Sequence, residues 1–273
     1  MKRTTRPQRF GRLFAELAVL LLLATTTTAA DYRALPAGTF NSVLPPDGKV
    51  ASAKVDAFAM RSVPVTNEEF LAFVQANPQW RRDRVAAVFA DPRYLARWSS
   101  PLEAGPDARP HQPVTEVSWF AARAYCASEK ARLPQWHEWE YAAAADTDRA
   151  DARGDARWRE RILSWYARPS TEPLAEVGSE ANFYGLRDLH GLVWEWVDDV
   201  SALMVGGDNR EQGDPDLLRF CGAGALSLKQ TENFAVLMRI AMLSSLKAAD
   251  TTRNLGFRCV RDIHPLQETH RAE

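Results

Sequence analysis

Three cysteines are the residues of this sequence best suited to redox or metal chemistry, and they lie far apart in the chain. They are Cys126, Cys221 and Cys259. In a protein that leaves the cytosol, an odd number of cysteines indicates one disulfide and one spare thiol. The spacing alone leaves all three pairings open. A thiol becomes reactive when it is exposed and its pKa is lowered, and the sequence shows neither condition.

The middle cysteine lies in a glycine-rich segment, Phe220–Ser227, where the backbone could approach a ligand closely. Cys221 could therefore border a pocket as a functional thiol, or it could be a small buried hydrophobic residue. Together with Met238 and Met242 it could form a soft copper(I) site. The run Leu237–Leu243 is more simply explained as core, so we expect no copper there.

Other common kinds of site leave no trace in the sequence. The five histidines do not form a short-range set of metal ligands. There is no glycine-rich phosphate loop and no nucleophile elbow, and nothing points to a Ser/His/Asp triad.

The first thirty residues have the pattern of a signal peptide. A basic stretch precedes an apolar run of about 12 residues, Leu13–Ala24, which is interrupted by Glu16 and followed by Thr28-Ala29-Ala30. Because a membrane-spanning helix needs about 20 residues, we predict cleavage near Ala30 and no membrane span after processing. A retained anchor is the alternative. The basic residues are Lys2, Arg3, Arg6, Arg9 and Arg12.

Residues 31–273 are then predicted to form a single periplasmic or secreted domain. Loss of five basic residues and one acidic residue changes the formal net charge from −1 to −5. A nucleic-acid partner would need a basic surface, so the charge argues against one.

Helix signals indicate how the chain frames a site. Thr66 and Glu69 form a capping box, and Phe70, Phe73 and Val74 follow at helical spacing, which predicts a buried helix face. Later segments are short and irregular, which predicts an irregular α+β fold. We further predict a strand at Val114–Ser118, a helix at Trp119–Lys130 capped by Ser118, and Pro134 in the first turn of another helix. Asn77–Pro113 is predicted to be an excursion over the surface, and Asp146–Arg161 a solvated loop or a short helix.

Four segments, which occur in one order over about 200 residues, resemble the formylglycine-generating-enzyme (sulfatase-modifying-factor) family. That family's irregular, C-type-lectin-like α+β fold is therefore the expected fold. The four are Val63–Phe70; Pro113–Trp119 with Ala124–Cys126 and Arg132–Tyr141; Tyr184–Trp196; and Asn254–Cys259.

The resemblance implies a calcium site in the third segment. Asp188, Gly191, Val193 and Glu195 match a calcium-binding pattern of the family. Carboxylates combined with backbone carbonyls provide the oxygen ligands that calcium prefers. The alternative is a tight glycine turn followed by a buried Trp-Glu-Trp strand.

The resemblance also implies a disulfide between Cys126 and Cys259, which would close a loop of 133 residues. On the chain-entropy model such a crosslink stabilises the fold by at most about 5 kcal/mol. Two buried reduced thiols are the alternative.

The catalytic cysteine pair of the family is missing. Counting back from Cys259 without a gap, its two positions fall on Gln230 and Ala235, which cannot hold copper(I). Ser227 and Trp194 match the serine and the tryptophan of that active site. They remain candidate site residues together with Cys221, although formylglycine generation is not expected.

These features favour an accessory or binding protein that presents the old substrate cleft to a periplasmic protein or peptide. Local segments resemble the NirV-like proteins found beside copper nitrite reductases, which suggests a role in respiratory copper maturation. One alternative is a metal- or thiol-dependent oxidoreductase that acts on a periplasmic protein or peptide. Another is an immunity-type protein that binds a toxin.

Overall fold

The computed structural model describes residues 30–42, 52–167, 173–200 and 234–263. The chain divides into Met1–Ala30 and one unit that spans Asp31–Glu273. The predicted signal segment up to residue 29 lies outside the described residues, and so do Cys221, Ser227 and Gln230.

A three-stranded antiparallel sheet joins the two ends of the described unit. Its order is β1 (Tyr32–Leu35), β4 (Phe58–Arg61) and β7 (Val260–Asp262). Between its first two strands in sequence lies a separate antiparallel pair, β2 (Gly38–Asn41) and β3 (Ser52–Val55).

Helix α1 (Asn67–Ala76) begins where the capping box predicts. The backbone N–H of Thr66 donates to Oε2 of Glu69 at 2.8 Å, and the N–H of Glu69 donates back to the Thr66 hydroxyl at 3.3 Å. Phe70, Phe73 and Val74 are buried, as the helical spacing predicts.

Helix α2 (Trp119–Ser128) carries the first cysteine into the core. The Ser118 hydroxyl caps it by accepting from the N–H of Ala121 at 3.2 Å. The helix ends two residues before the predicted Lys130, because Lys130 has a left-handed backbone with φ 56°. The predicted helix is confirmed with this shorter end.

Two predictions for the flanking segments are wrong. Val114–Ser118 is not a strand: the only ladder contact there is an isolated bridge between Pro113 and Thr66, and Glu116 turns the backbone with φ 57°. Pro134 is not in the first turn of α3 (Trp136–Ala143), since the extended Gln135 is the N-cap.

The segment Asn77–Pro113 is more than the surface excursion that its composition predicts. After a 3₁₀ turn at Pro78–Trp80, it buries Tyr94, Leu95 and Trp98 in the main core. The indole Nε1 of Trp98 donates to Oδ1 of Asn67 on α1 at 3.0 Å. The spacing of these three residues is compatible with a helix, but the segment forms turns, and its charged, Pro-rich composition indicates a surface position.

The remaining elements lie in the second half of the chain. Helix α4 (Ala156–Tyr166) is capped by Asp155, β5 (Trp194–Glu195) pairs in parallel with β6 (Leu255–Gly256), and α5 (Phe234–Ser244) lies between those strands in sequence. The small sheets and few helices of the described part confirm the predicted α+β class. None of these helices has the length and apolar character needed to cross a membrane.

Candidate functional site

The third and fourth sequence segments meet at β5 and β6. Trp194 pairs with Leu255 and Glu195 pairs with Gly256. Alternation along β5 separates its two side chains: that of Trp194 is part-exposed, and that of Glu195 is fully buried. The strand therefore joins a surface aromatic group to a charged group in the core.

Below the surface, Glu195 forms an ion pair with Arg258. The guanidinium Nε donates to both carboxylate oxygens at 3.0 and 2.9 Å, and Nη2 donates to Oε1 at 2.8 Å. Nε1 of Trp139, on α3, donates to Oε2 at 2.8 Å. Both charged side chains have no exposed surface, and the pair ties β5 to the residue before Cys259.

Above it, three aromatic rings form a part-exposed cluster, which we call the aromatic face: Trp165, Tyr166 and Trp194. The Trp194 ring lies 4.9 Å from Tyr166 and 5.5 Å from Trp165, measured between ring centroids. Both partners come from the last turn of α4. The aromatic face therefore forms because the last turn of α4 packs against Trp194 on β5.

Trp165 and Tyr166 were not predicted as site residues, because the charged run Asp146–Arg161 before them indicates a solvated loop or a short helix. A signal was available. Asp155 is a good N-cap, and Trp158, Ile162 and Trp165 follow at helical spacing. Both Trp158 and Ile162 are buried.

Arg239 on α5 contacts the strand that carries Trp194 and was also not predicted from the sequence. Its side chain is 1% exposed, and Nη2 donates to the backbone carbonyl oxygen of Glu195. The guanidinium carbon lies 3.6 Å from the ring centroid of Trp139 and 5.8 Å from that of Trp136. Burial lowers the pKa of Arg239 to about 10, so the side chain stays charged at neutral pH.

His190, in the turn that precedes β5, lies between two indoles. Its ring is edge-on to Trp139 and Trp158, each at 5.6 Å between centroids, and Nε2 lies 2.9 Å from the carbonyl oxygen of Ala143. Burial lowers the pKa of His190 to about 4, so the ring is neutral at neutral pH. A neutral imidazole held between two indoles, with its Nδ1 buried and not hydrogen-bonded, is a packing group.

The four residues of the predicted calcium pattern do not share one function in this arrangement. Oδ2 of Asp188 accepts from the N–H of Gly178 at 2.7 Å, and Oδ1 accepts from the N–H of Ser179 at 3.1 Å. Gly191 provides a turn with φ 99°, which favours glycine, and Val193 is buried.

A calcium ion bound through Glu195 would have to compete with Arg258, whose positive charge already neutralises that carboxylate. In the described part of the chain, no three His, Cys, Asp or Glu residues are grouped as metal ligands. The arrangement therefore does not fit the predicted ligand set, and calcium binding stays a prediction.

The cysteines are divided as the family resemblance implies. Cys126 and Cys259 are joined as a disulfide with Cα atoms 5.5 Å apart, and both are fully buried. Cys221 and Ser227, two of the three candidate catalytic residues, lie outside the described residues, as does Gln230. Ala235 lies within α5.

Comparison with known proteins gives one family. The pattern described as the sulfatase-modifying factor enzyme 1-like domain matches residues 22–263. A formylglycine-generating enzyme of Streptomyces coelicolor is 31% identical over 272 residues, with 82% of this chain and 84% of its own covered. An inactive C-alpha-formylglycine-generating enzyme 2 of Bos taurus is 29% identical over 251 residues, with 78% and 80% covered. The solved structure of CarF aligns with 86% of this chain and with 99% of the CarF chain, at 18% sequence identity and a TM-score of 0.47.

Proposed function

The chain belongs to the sulfatase-modifying factor enzyme 1-like domain family, and we propose that it acts as an accessory or binding protein that does not generate formylglycine. Its aromatic face would be the surface that binds a protein or peptide. The chain is similar both to a formylglycine-generating enzyme and to an inactive relative, so family membership alone does not decide whether it generates formylglycine. The decision therefore depends on this chain's own residues.

The pairing of the cysteines is the observation that carries this proposal. The chain has three cysteines in all, and two of them are joined in a buried disulfide. Only Cys221 is left, so two free thiols cannot hold copper(I) between them. The same conclusion follows from the ungapped count that puts Gln230 and Ala235 at the catalytic positions.

The aromatic face supports a binding role. Aromatic side chains at a part-exposed surface contribute more binding free energy than other residue types, because they bury large areas and lose little conformational entropy. Trp194 and its neighbours are held by α4 and by the Glu195–Arg258 pair beneath. A rigid surface of this kind is suited to an apolar or aromatic segment of a partner.

The cell compartment and the partner are further parts of the proposal. From the signal-like first thirty residues we propose that the mature chain acts in the periplasm or outside the cell. There, an oxidised Cys126–Cys259 pair would persist. The likeness of local segments to NirV-like proteins leads us to propose a partner from copper respiratory maturation. An immunity-type toxin complex is the alternative partner.

Two assays test this function. In the first, the mature protein is incubated with copper(I), oxygen and a cysteine-containing sulfatase peptide, with the Streptomyces coelicolor relative as the positive control. We expect no aldehyde by mass spectrometry. Aldehyde formation above the uncatalysed level would overturn the proposal.

The second assay tests the binding surface by crosslinking in periplasmic extract. We expect Trp194→Ala to lose the partner that the wild type captures. Phe183→Ala is the matched control, because Phe183 is 54% exposed and is not part of the aromatic face. Equal capture by both variants would show that the partner binds elsewhere.

A thiol-dependent oxidoreductase is the second candidate, since the disulfide leaves Cys221 as the one cysteine without a cysteine partner. Cys221→Ser separates the two functions. Loss of the cellular phenotype with unchanged stability would favour the thiol chemistry, and an unchanged phenotype would favour the binding protein.

A further inference from the structure

Arg239 is a buried cation without an acidic partner among the described residues. The two other fully buried arginines each have carboxylate partners: Arg61 contacts Glu69 and Glu129, and Arg258 contacts Glu195. Glu195 is the one described carboxylate that interacts electrostatically with Arg239, and both of its oxygens already accept hydrogen bonds from Arg258. Among the described residues, two guanidinium groups therefore share the one carboxylate of Glu195, which leaves one positive charge without a partner in that part of the chain.

The donors of Arg239 are also incompletely used. Within the described residues its only hydrogen bond goes from Nη2 to the carbonyl oxygen of Glu195, and its Nε is buried without an acceptor. A guanidinium has five N–H donors. Burial of an unpaired charge with unsatisfied donors is costly, and a bound anion would remove that cost.

The surroundings indicate where an anion would bind. Trp139 covers one face of the guanidinium at 3.6 Å. Nη2 of Arg239 donates to the backbone carbonyl oxygen of Glu195, the residue that follows Trp194, and the Trp194 ring packs on Tyr166 at 4.9 Å. The cation therefore contacts the strand that carries the part-exposed Trp194.

We propose that Arg239 and the aromatic face form one subsite that binds the C-terminal carboxylate of a partner chain that ends in an apolar or aromatic residue. One negative charge balances the excess positive charge. The carboxylate matches the planar fork of the guanidinium, and the terminal side chain packs on the rings of Tyr166 and Trp194. A phosphate would bring a second negative charge, beyond the single unpaired positive charge of Arg239.

This inference rests on the proposed binding role of the aromatic face and adds the chemistry of the bound group. Because Arg239 is 1% exposed, a ligand reaches it only when a side chain that covers it moves. Binding should therefore change the environments of Trp165 and Trp194, and tryptophan fluorescence is a direct readout.

The test compares N-acetylphenylalanine with N-acetylphenylalanine amide, which differs only in lacking the negative charge. Each is titrated into the mature protein at constant ionic strength, with tryptophan fluorescence and melting temperature as readouts. We expect the acid to bind at least about tenfold more tightly than the amide, the size of one charge-assisted interaction.

Benzoate, a free aromatic acid without a backbone amide, should bind more weakly than N-acetylphenylalanine. Stronger binding of benzoate would identify a small-molecule acid site and overturn the C-terminal assignment.

Arg239→Gln should abolish the difference between acid and amide, and Arg239→Lys should keep the charge with weaker binding because the planar fork is lost. Arg123→Gln is the matched control: Arg123 also stacks on a tryptophan, Trp119 at 5.2 Å, but its side chain is 62% exposed. If Arg239→Gln does not fold, the comparison of Arg239→Lys with Arg123→Gln carries the test.

Equal affinity for acid and amide, no binding of either, an unchanged difference in Arg239→Gln, or unweakened binding of the acid by Arg239→Lys would overturn the carboxylate site. These results would leave the crosslinking assay untouched, since it uses the natural partner and Trp194→Ala. Conversely, loss of the partner-binding role would not remove an acid-specific response at Arg239.

Discussion

Arg258 holds Glu195 with two of its nitrogens, and neither side chain has any exposed surface. The two residues are 63 positions apart in the sequence, in two segments that carry the family resemblance. Nη2 of Arg258 also donates to the carbonyl oxygen of Arg187 at 2.8 Å. The pair therefore connects β5, the turn before it and the residue next to the disulfide.

Breaking this pair from one side should be strongly destabilising. In Arg258→Met the Glu195 carboxylate stays buried without its cation, and we expect the free energy of unfolding to fall by about 3–5 kcal/mol, measured by urea titration. The double variant with Glu195→Gln should recover part of the loss. Lys54→Met is the control, since its pair with Asp56 is exposed and should contribute about 0–1 kcal/mol. A loss as small as that of the control would show that the pair is not closed in solution.

The same ion pair bears on calcium. Because Arg258 occupies the Glu195 carboxylate, we expect the purified mature protein to contain much less than one calcium per chain by mass spectrometry, and its melting temperature to be unchanged by a chelator. About one calcium per chain, removed by chelation with a fall in melting temperature, would instead support the sequence pattern. It would also mean that Glu195 changes partner when the ion binds.

Local signals in the sequence predicted the helices that have clear caps. Thr66 with Glu69, and Ser118, each act through a side chain that bonds to a backbone group within three residues, so neighbouring residues suffice to specify the start of α1 and α2. The boundary errors at Lys130 and Pro134 have the same local origin. Neither Lys130 nor Gln135 is a residue type that signals a left-handed φ or an N-cap, so these boundaries leave only a weak sequence signal.

The partners of charged residues could not be predicted in this way. Nothing next to Glu195 in the sequence indicates that Arg258 will neutralise it, because the contact is made only when β5 and β6 pair. Likewise, Arg239 lies in an apolar run and reads as an interruption of a core helix. Its position against Trp139 depends on how α5 packs. Carboxylate patterns identify possible ligands, but the tertiary fold decides which cation they meet.

The cysteine pairing leads to a direct count of thiols. In unreduced, denatured protein we expect one reactive thiol per chain, belonging to Cys221, and three after reduction. Replacing both Cys126 and Cys259 by Ala should lower the free energy of unfolding by about 2–5 kcal/mol. Cys221→Ser should leave the stability and its response to reductant unchanged. Three reactive thiols before reduction would show that Cys126 and Cys259 are not joined in the compartment where the protein was produced.

The signal segment makes a prediction about the mature protein. Intact-mass analysis of the exported chain should give an N-terminus at or near Asp31. Leu21→Arg, which places a charge inside the apolar run, should leave a full-length precursor in the cytosol. A stable exported protein that keeps residues 1–30 would instead indicate a retained anchor.

Gly256 should be intolerant of even one added carbon, and its position explains why the Asn254–Cys259 segment contains a glycine. A Cβ there would lie 2.6 Å from the backbone carbonyl oxygen of Val114. Because backbone cannot move aside as a flexible side chain can, β6 would have to shift away from the Val114 segment. Arg258, two residues later, would shift with it. We expect Gly256→Ala to lower the free energy of unfolding by about 1–3 kcal/mol, as for other overpacked sites.

Gly154→Ala is the matched control, since nothing lies within 4 Å of its Cβ position, and it should be neutral or slightly stabilising. Similar urea midpoints for the two variants would mean that β6 does not approach Val114 as closely in solution.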